Sequence, residues 1–98
     1  MLRFKRISYS VEDQAHVREA RVHYEIERFF ELRLSEMSLT DHEQNHHVRT
    51  ETHVSRNSES YTEYLIYRNR TVAVGAYRYS KGEGDGDAAE LMLSSYSV

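Results

Sequence analysis

Residues 47–79, HVRTETHVSRNSESYTEYLIYRNRTVAVGAYRY, decide the fold, and they hold five of the chain's eight tyrosines among β-branched residues. Val48, Thr50, Thr52 and Val54 alternate with His47, Arg49, Glu51 and His53, the period-2 pattern of a half-exposed strand. Asn57-Ser58-Glu59 turns the chain. Ser60 to Arg68 and Thr71 to Ser80 then read as a hairpin closed by a two-residue turn at Asn69-Arg70. With that turn Arg68 faces Thr71, and the register follows. Leu65, Tyr67, Val72, Val74 and Ala76 share one face with Tyr61, the face expected to cover a helix. Tyr64, Ile66, Ala73, Gly75, Tyr77 and Tyr79 share the other, which is expected to look outward.

Upstream, Leu2 to Tyr9 alternates loosely as a first strand. Ser10 is placed to cap a helix whose first turn holds Glu12 and Asp13, where the macrodipole favours acids. Ala15, Val22, Ile26, Phe29 and Phe30 recur at helical spacing, and Val17, Ala20 and Tyr24 widen the stripe. No proline or glycine interrupts residues 10–37, so one helix of about 25 residues is expected, about 37 Å long. Residues 38–47 are polar and aperiodic and read as a loop. Glycines 82, 84 and 86 punctuate an acidic loop. Residues 88–98 read as a short helix or a last strand, with Ser-Ser-Tyr-Ser-Val leaning toward strand. The expectation is a single α+β domain over residues 1–98, with one long N-terminal helix packed on an antiparallel β-meander.

A strand, one long helix and a meander wrapped around it resemble the cystatin arrangement. Val72-Ala73-Val74-Gly75 resembles the hairpin loop of cystatin inhibitors, but it falls within a late strand. The early glycine and the Pro-Trp pair of those inhibitors are absent here. The resemblance therefore implies an architecture and none of the inhibitory activity.

Composition narrows the function classes. The 98 residues carry a net charge of −3 and include 11 arginines, 2 lysines and no cysteine. Absent cysteine removes disulfides, thiol nucleophiles and thiolate metal sites. No apolar run reaches the roughly 20 residues of a membrane span, and no apolar segment follows the basic start, so a cytoplasmic location without membrane attachment is expected. The acidic balance argues against a nucleic-acid partner, although tyrosine and arginine are also the ingredients of base stacking.

No serine stands in a nucleophile-elbow context, and no Gly-rich loop precedes a helix as phosphate binding requires. Glu83 to Asp87 alternates acids as a calcium loop does, but Ala88 replaces the required glycine and Ser94 the bidentate glutamate. Asn69-Arg70-Thr71 matches a glycosylation sequon and reads as a turn. His16 and His23, each beside a glutamate (Glu19, Glu27), read as exposed helix pairs.

Two constellations remain. Tyr64, Tyr77 and Tyr79 on the outward face, with Arg68, Arg70 and Arg78 nearby, are the residue types enriched at protein interfaces. They point to a non-catalytic binding module, an inhibitor or adaptor such as a phage-encoded antagonist of a host enzyme, acting on a protein partner or on a second copy as a homodimer. The alternative is a zinc protein or metal-dependent enzyme. His42, His46, His47 and His53 fall within twelve positions, and Asp41 and Glu43 complete an N/O ligand set. Histidines clustered in a polar loop are more often simply solvated, and they also titrate near neutrality.

Overall fold

The computed structural model describes residues 3–56, 60–80, 82 and 86–97. The expected turn at 57–59 and most of the glycine-rich acidic loop lie outside these residues, as does Leu2. The elements run β1 (Arg3–Tyr9), α1 (Ala15–Met37), α2 (Asp41–His47), β2 (Val48–Val54), β3 (Ser60–Tyr67), β4 (Arg70–Ser80) and β5 (Ala88–Ser95). All five strands form one antiparallel sheet in the order β1-β5-β4-β3-β2. The α+β class, with one long helix on an antiparallel sheet, is thus as the sequence indicates. The C-terminal segment is the strand it leans toward, inserted between β1 and β4.

α1 starts four residues later than Ser10 implies. Gln14 stands at its N-cap without a side-chain cap bond. The preceding residues are held as a turn instead. Ser10 Oγ accepts from the Glu12 amide at 3.3 Å, and the Arg18 guanidinium folds back onto the carbonyls of Val11 and Asp13. Carbonyls bound to Arg18 in this way close the turn, and the helix begins only beyond it. The helix ends at Ser38, which adopts the left-handed conformation (φ 52°) common after a last turn.

Residues 41–47 are a helix, not the loop expected from their polarity. Thr40 Oγ1 accepts from the Glu43 amide at 3.1 Å while the Glu43 carboxylate accepts from the Thr40 amide at 3.3 Å, a complete capping box.

The hairpin turn is one residue earlier than expected. Arg68 and Asn69 carry the positive φ values (48° and 65°) that a two-residue type I′ turn demands, and Tyr67 pairs with Arg70. A bulge between Leu65 and Ile66 shifts the register again, so Leu65 pairs with Ala73. The expected pairing put Leu65 beside Val74. Tyr61, Leu65 and Tyr67 do face the helix as expected. The faces of β4 are exchanged: Ala73, Gly75, Tyr77 and Tyr79 face α1, and Val74 and Ala76 face away. Val72, at the bulge, is still fully buried.

α1 buries Arg18, Val22, Ile26 and Phe30, an i, i+4 ridge, against Leu65, Ala73, Tyr77, Leu91 and Leu93. Its sheet contacts fall on β4 and β5. A Cβ built on Gly75 would stand 2.7 Å from Ile26 Cγ1, so the missing side chain is what lets the helix come this close. Gly75→Ala is expected to cost about 1–3 kcal/mol in urea unfolding. In that background Ile26→Ala should cost less than in the native chain, because it removes the clash it otherwise only converts to a cavity. Equal costs in both backgrounds would mean the two residues do not press on one another.

α2 is fastened to the hairpin. The Tyr67 hydroxyl donates to Glu43 Oε2 at 2.6 Å, and Arg68 reaches the same carboxylate at 3.8 Å. The Tyr67 hydrogen bond, then the Thr40 amide, hold the Glu43 carboxyl below its ordinary range. A depressed folded-state pKa means that the unfolded chain binds more protons between the two values. The stabilisation is therefore present above the ordinary glutamate pKa of 4.5 and lost as pH falls through the lower folded value. Tyr67→Phe is expected to flatten the fall of stability below pH 4.5, as read by unfolding midpoints across an acid series. An unchanged slope would remove Glu43 from the acid response.

Candidate functional site

The structure divides the tyrosine-arginine set. Tyr77 is buried under α1, edge-on to Tyr9 at 6.5 Å between ring centroids and tilted against Tyr61 at 5.6 Å. Tyr79, half-buried, lies under the Arg18 guanidinium at 5.2 Å and donates to Asp87. That hydrogen bond, more than burial, raises its pKa. Burial raises the hydroxyl pKa of Tyr9 and, further, of Tyr61, and neither hydroxyl has a hydrogen-bond partner among the described residues. These rings form the layer between sheet and helix.

Tyr64 alone of the three proposed tyrosines is on the open side, in a row that runs Phe4, Ser94, Val74, Tyr64, Glu51 across the strands. His53 packs edge-on against it at 5.1 Å. Arg78 shares this side but sits four residues along β4 from Tyr64's partner Val74, about 13 Å away. Its charge is taken up by Glu90 at 3.3 Å, which also meets Arg6 at 3.7 Å. Arg68 and Arg70 stand at the far end of the hairpin. A continuous tyrosine-arginine face is therefore not assembled.

Nor are the four histidines gathered into one shell. The rings of His42 and His46 stack at 4.1 Å on exposed α2, and His47 meets His42 edge-on at 6.2 Å. His53 lies six residues further on, near the other end of β2, with Glu51 and Tyr64 as neighbours. Among the described residues no group of three or more histidine, aspartate or glutamate side chains is placed to hold a metal ion. His46 Nδ1 is engaged with the His42 carbonyl at 2.9 Å, a helix-internal contact.

The surface feature that does assemble lies elsewhere. Because α1 sits over β4 and β5, the helix-facing side of edge strand β1 is left uncovered at its first residues, while Ile7 and Tyr9 pack on the core. A groove of about 590 Å³ opens there, with Leu93 at its floor, Phe29 and Leu32 on its helix wall and the start of β1, residues 3–5, along its edge. Tyr24 and Leu32 are 56% and 49% exposed, two of the five large apolar side chains most open to solvent among the described residues. Arg3 and Lys5 border the groove and are tied to Glu36 (2.8 Å) and Glu25 (3.8 Å) of α1. Arg28 completes the rim over the Tyr24 ring at 5.7 Å, without an ion-pair partner among the described residues.

Sequence reasoning did not isolate this groove, though a signal existed. At 100° per residue, Phe29 and Leu32 lie about 60° and 120° around the helix from Ile26, beyond the arc a single sheet contact covers. Leu32 was not counted in the stripe at all.

Comparison of the chain with family models, with curated proteins and with solved structures finds no match. Among the described residues no helix is long and apolar enough to cross a membrane. The placement of the tyrosines has a measurable consequence. Tyr77→Ala is expected to cost about 3–5 kcal/mol of folding stability, as for other buried aromatic truncations. Tyr64→Ala, on the open side, should cost less than half as much. Comparable losses would place Tyr64 in the core as well.

Proposed function

We propose that the chain is a non-catalytic protein-binding module whose contact surface is the groove between β1 and α1. The convergence of Tyr24 and Leu32, each about half exposed, with half-buried Phe29 on one concavity carries this reading. Apolar side chains gathered in a recess and rimmed by charge mark interaction sites more often than scattered ones do. The cationic rim of Arg3, Lys5 and Arg28 supplies orientation, and the apolar floor supplies affinity. In its inhibitory form this reading is an adaptor or antagonist, phage-encoded in the version set out above, that occupies a surface of a host enzyme.

Affinity capture from a nuclease-treated host lysate tests the reading. The native chain and a Tyr64→Ser variant should retain the same protein, and a Tyr24→Ser, Leu32→Ser double variant should lose it. The double variant should lose no more than about 1 kcal/mol of stability per site, since both side chains are already largely exposed. Retention by the double variant with loss from Tyr64→Ser would move the contact surface to the open side of the sheet. Inhibition of a captured enzyme by the native chain alone would distinguish an antagonist from an adaptor.

A further inference from the structure

Beside the groove lies a strand edge. β1 ends the sheet, and among the described residues no strand lies beyond it. Its pairing with β5 runs from Arg3↔Ser95 to Tyr9↔Ala89 without a shift, and it contains no proline. Proteins usually blunt such an edge with a bulge, a proline or a covering segment; here charge alone guards it. At the opposite edge, β2, Arg49 and Glu51 neutralise each other at 2.8 Å.

We propose, resting on the protein-binding reading above, that the partner enters as an extended acidic-apolar segment. The segment pairs with the outer edge of β1 as a sixth strand, lays an apolar side chain on Phe29, Leu32 and Leu93, and sets a carboxylate against Arg28. Strand addition supplies backbone hydrogen bonds, while alternate side chains enter the recess that adjoins the edge. Every cation beside this edge selects for acid. Among the described residues Arg28 has no carboxylate of its own, and the pairs that hold Arg3 and Lys5 are solvent-exposed, so an incoming acid replaces them at little cost.

The same charges disfavour a second copy as occupant. β1 pairing with its own equivalent would bring Arg3, Lys5 and Arg6 of both chains across one ladder, and like charges opposed across a ladder destabilise it.

The test uses the full chain and a fluorescein-labelled peptide of alternating glutamate and valine, as long as the seven residues of β1. Saturable binding is expected, weakened about tenfold or more when lysine replaces glutamate in the peptide, and weakened by about tenfold for Arg28→Ala. Hydrogen exchange should slow at β1 amides when the acidic peptide is bound. Absence of binding to the native chain, equal binding of the lysine peptide, or protection confined to β2 or the open side would each overturn the proposal. So would a concentration-dependent dimer whose β1 amides are protected without peptide. If the peptide fails while the Tyr24→Ser, Leu32→Ser variant still loses its captured partner, the strand mode falls and the protein-binding reading stands. If that capture is unaffected too, both fall.

Discussion

The contact of Ile26 with the bare backbone of Gly75 governs where everything else sits. Ile26 is fully buried and centres the ridge of Arg18, Val22, Ile26 and Phe30, so its seat fixes the line along which α1 crosses the sheet. That line follows β4 and β5, the inner strands that carry Tyr77, Leu91 and Leu93. A helix about 34 Å long and one side chain wide cannot also cover the flanking strands. On the β1 side the uncovered strip falls beside Phe29 and Leu32, so a packing constraint at the middle of the sheet generates the groove at its margin.

Which residues meet the helix is decided at the other end of the hairpin. The turn at Arg68 and Asn69 places a large side chain in the left-handed region, a conformation that costs an ordinary residue about 1–2 kcal/mol. Local contacts offset this. The Arg68 amide donates to the His47 carbonyl at 3.0 Å, its Nε donates to the Tyr67 hydroxyl at 3.0 Å, and its guanidinium approaches Glu43. The capping box of α2 holds Glu43 in place for both Tyr67 and Arg68. The small helix thus acts as a clamp on the turn, and through the turn on the register of β3 against β4.

Element types were largely legible in the sequence, because they rest on periodicity within a segment. The 3.6-residue recurrence in α1 and the alternation in β2, β3 and β4 do not depend on distant contacts. The Thr40-x-x-Glu43 signature was equally legible and outweighed the polarity that suggested a loop. The facing of β4 was not, because it depends on a one-residue choice between Arg68-Asn69 and Asn69-Arg70, followed by a bulge at Val72. Asparagine tolerates positive φ at either turn position, so the deciding residue is Arg68, whose unusual conformation is stabilised by α2 and by Tyr67. A slip of one residue turns a whole strand over, and so Tyr77 and Tyr79 lie beneath the helix when their spacing suggested an outer face. Gly75 offered a local correction, since a lone glycine within a strand marks a close backbone approach.

The two uncovered sheet surfaces differ in a way that bears on recognition. On the open side Tyr64, Val74, Ile66 and Met92 sit among small and polar residues (Ser94, Thr62, Ala76, Ser60), and the nearby cations Arg6 and Arg78 converge on Glu90. Its charges are satisfied within the chain, as on a solvated face. Along the groove the balance is reversed: apolar side chains stay exposed, and Arg28 is left with only an aromatic ring beneath it. Removing that apolar area from water contributes roughly 25 cal/mol per Å², and an incoming carboxylate would give Arg28 the counter-ion it lacks. With the open-side cations Arg6 and Arg78 already paired to Glu90, the proposed contact is better served at the margin the helix leaves uncovered.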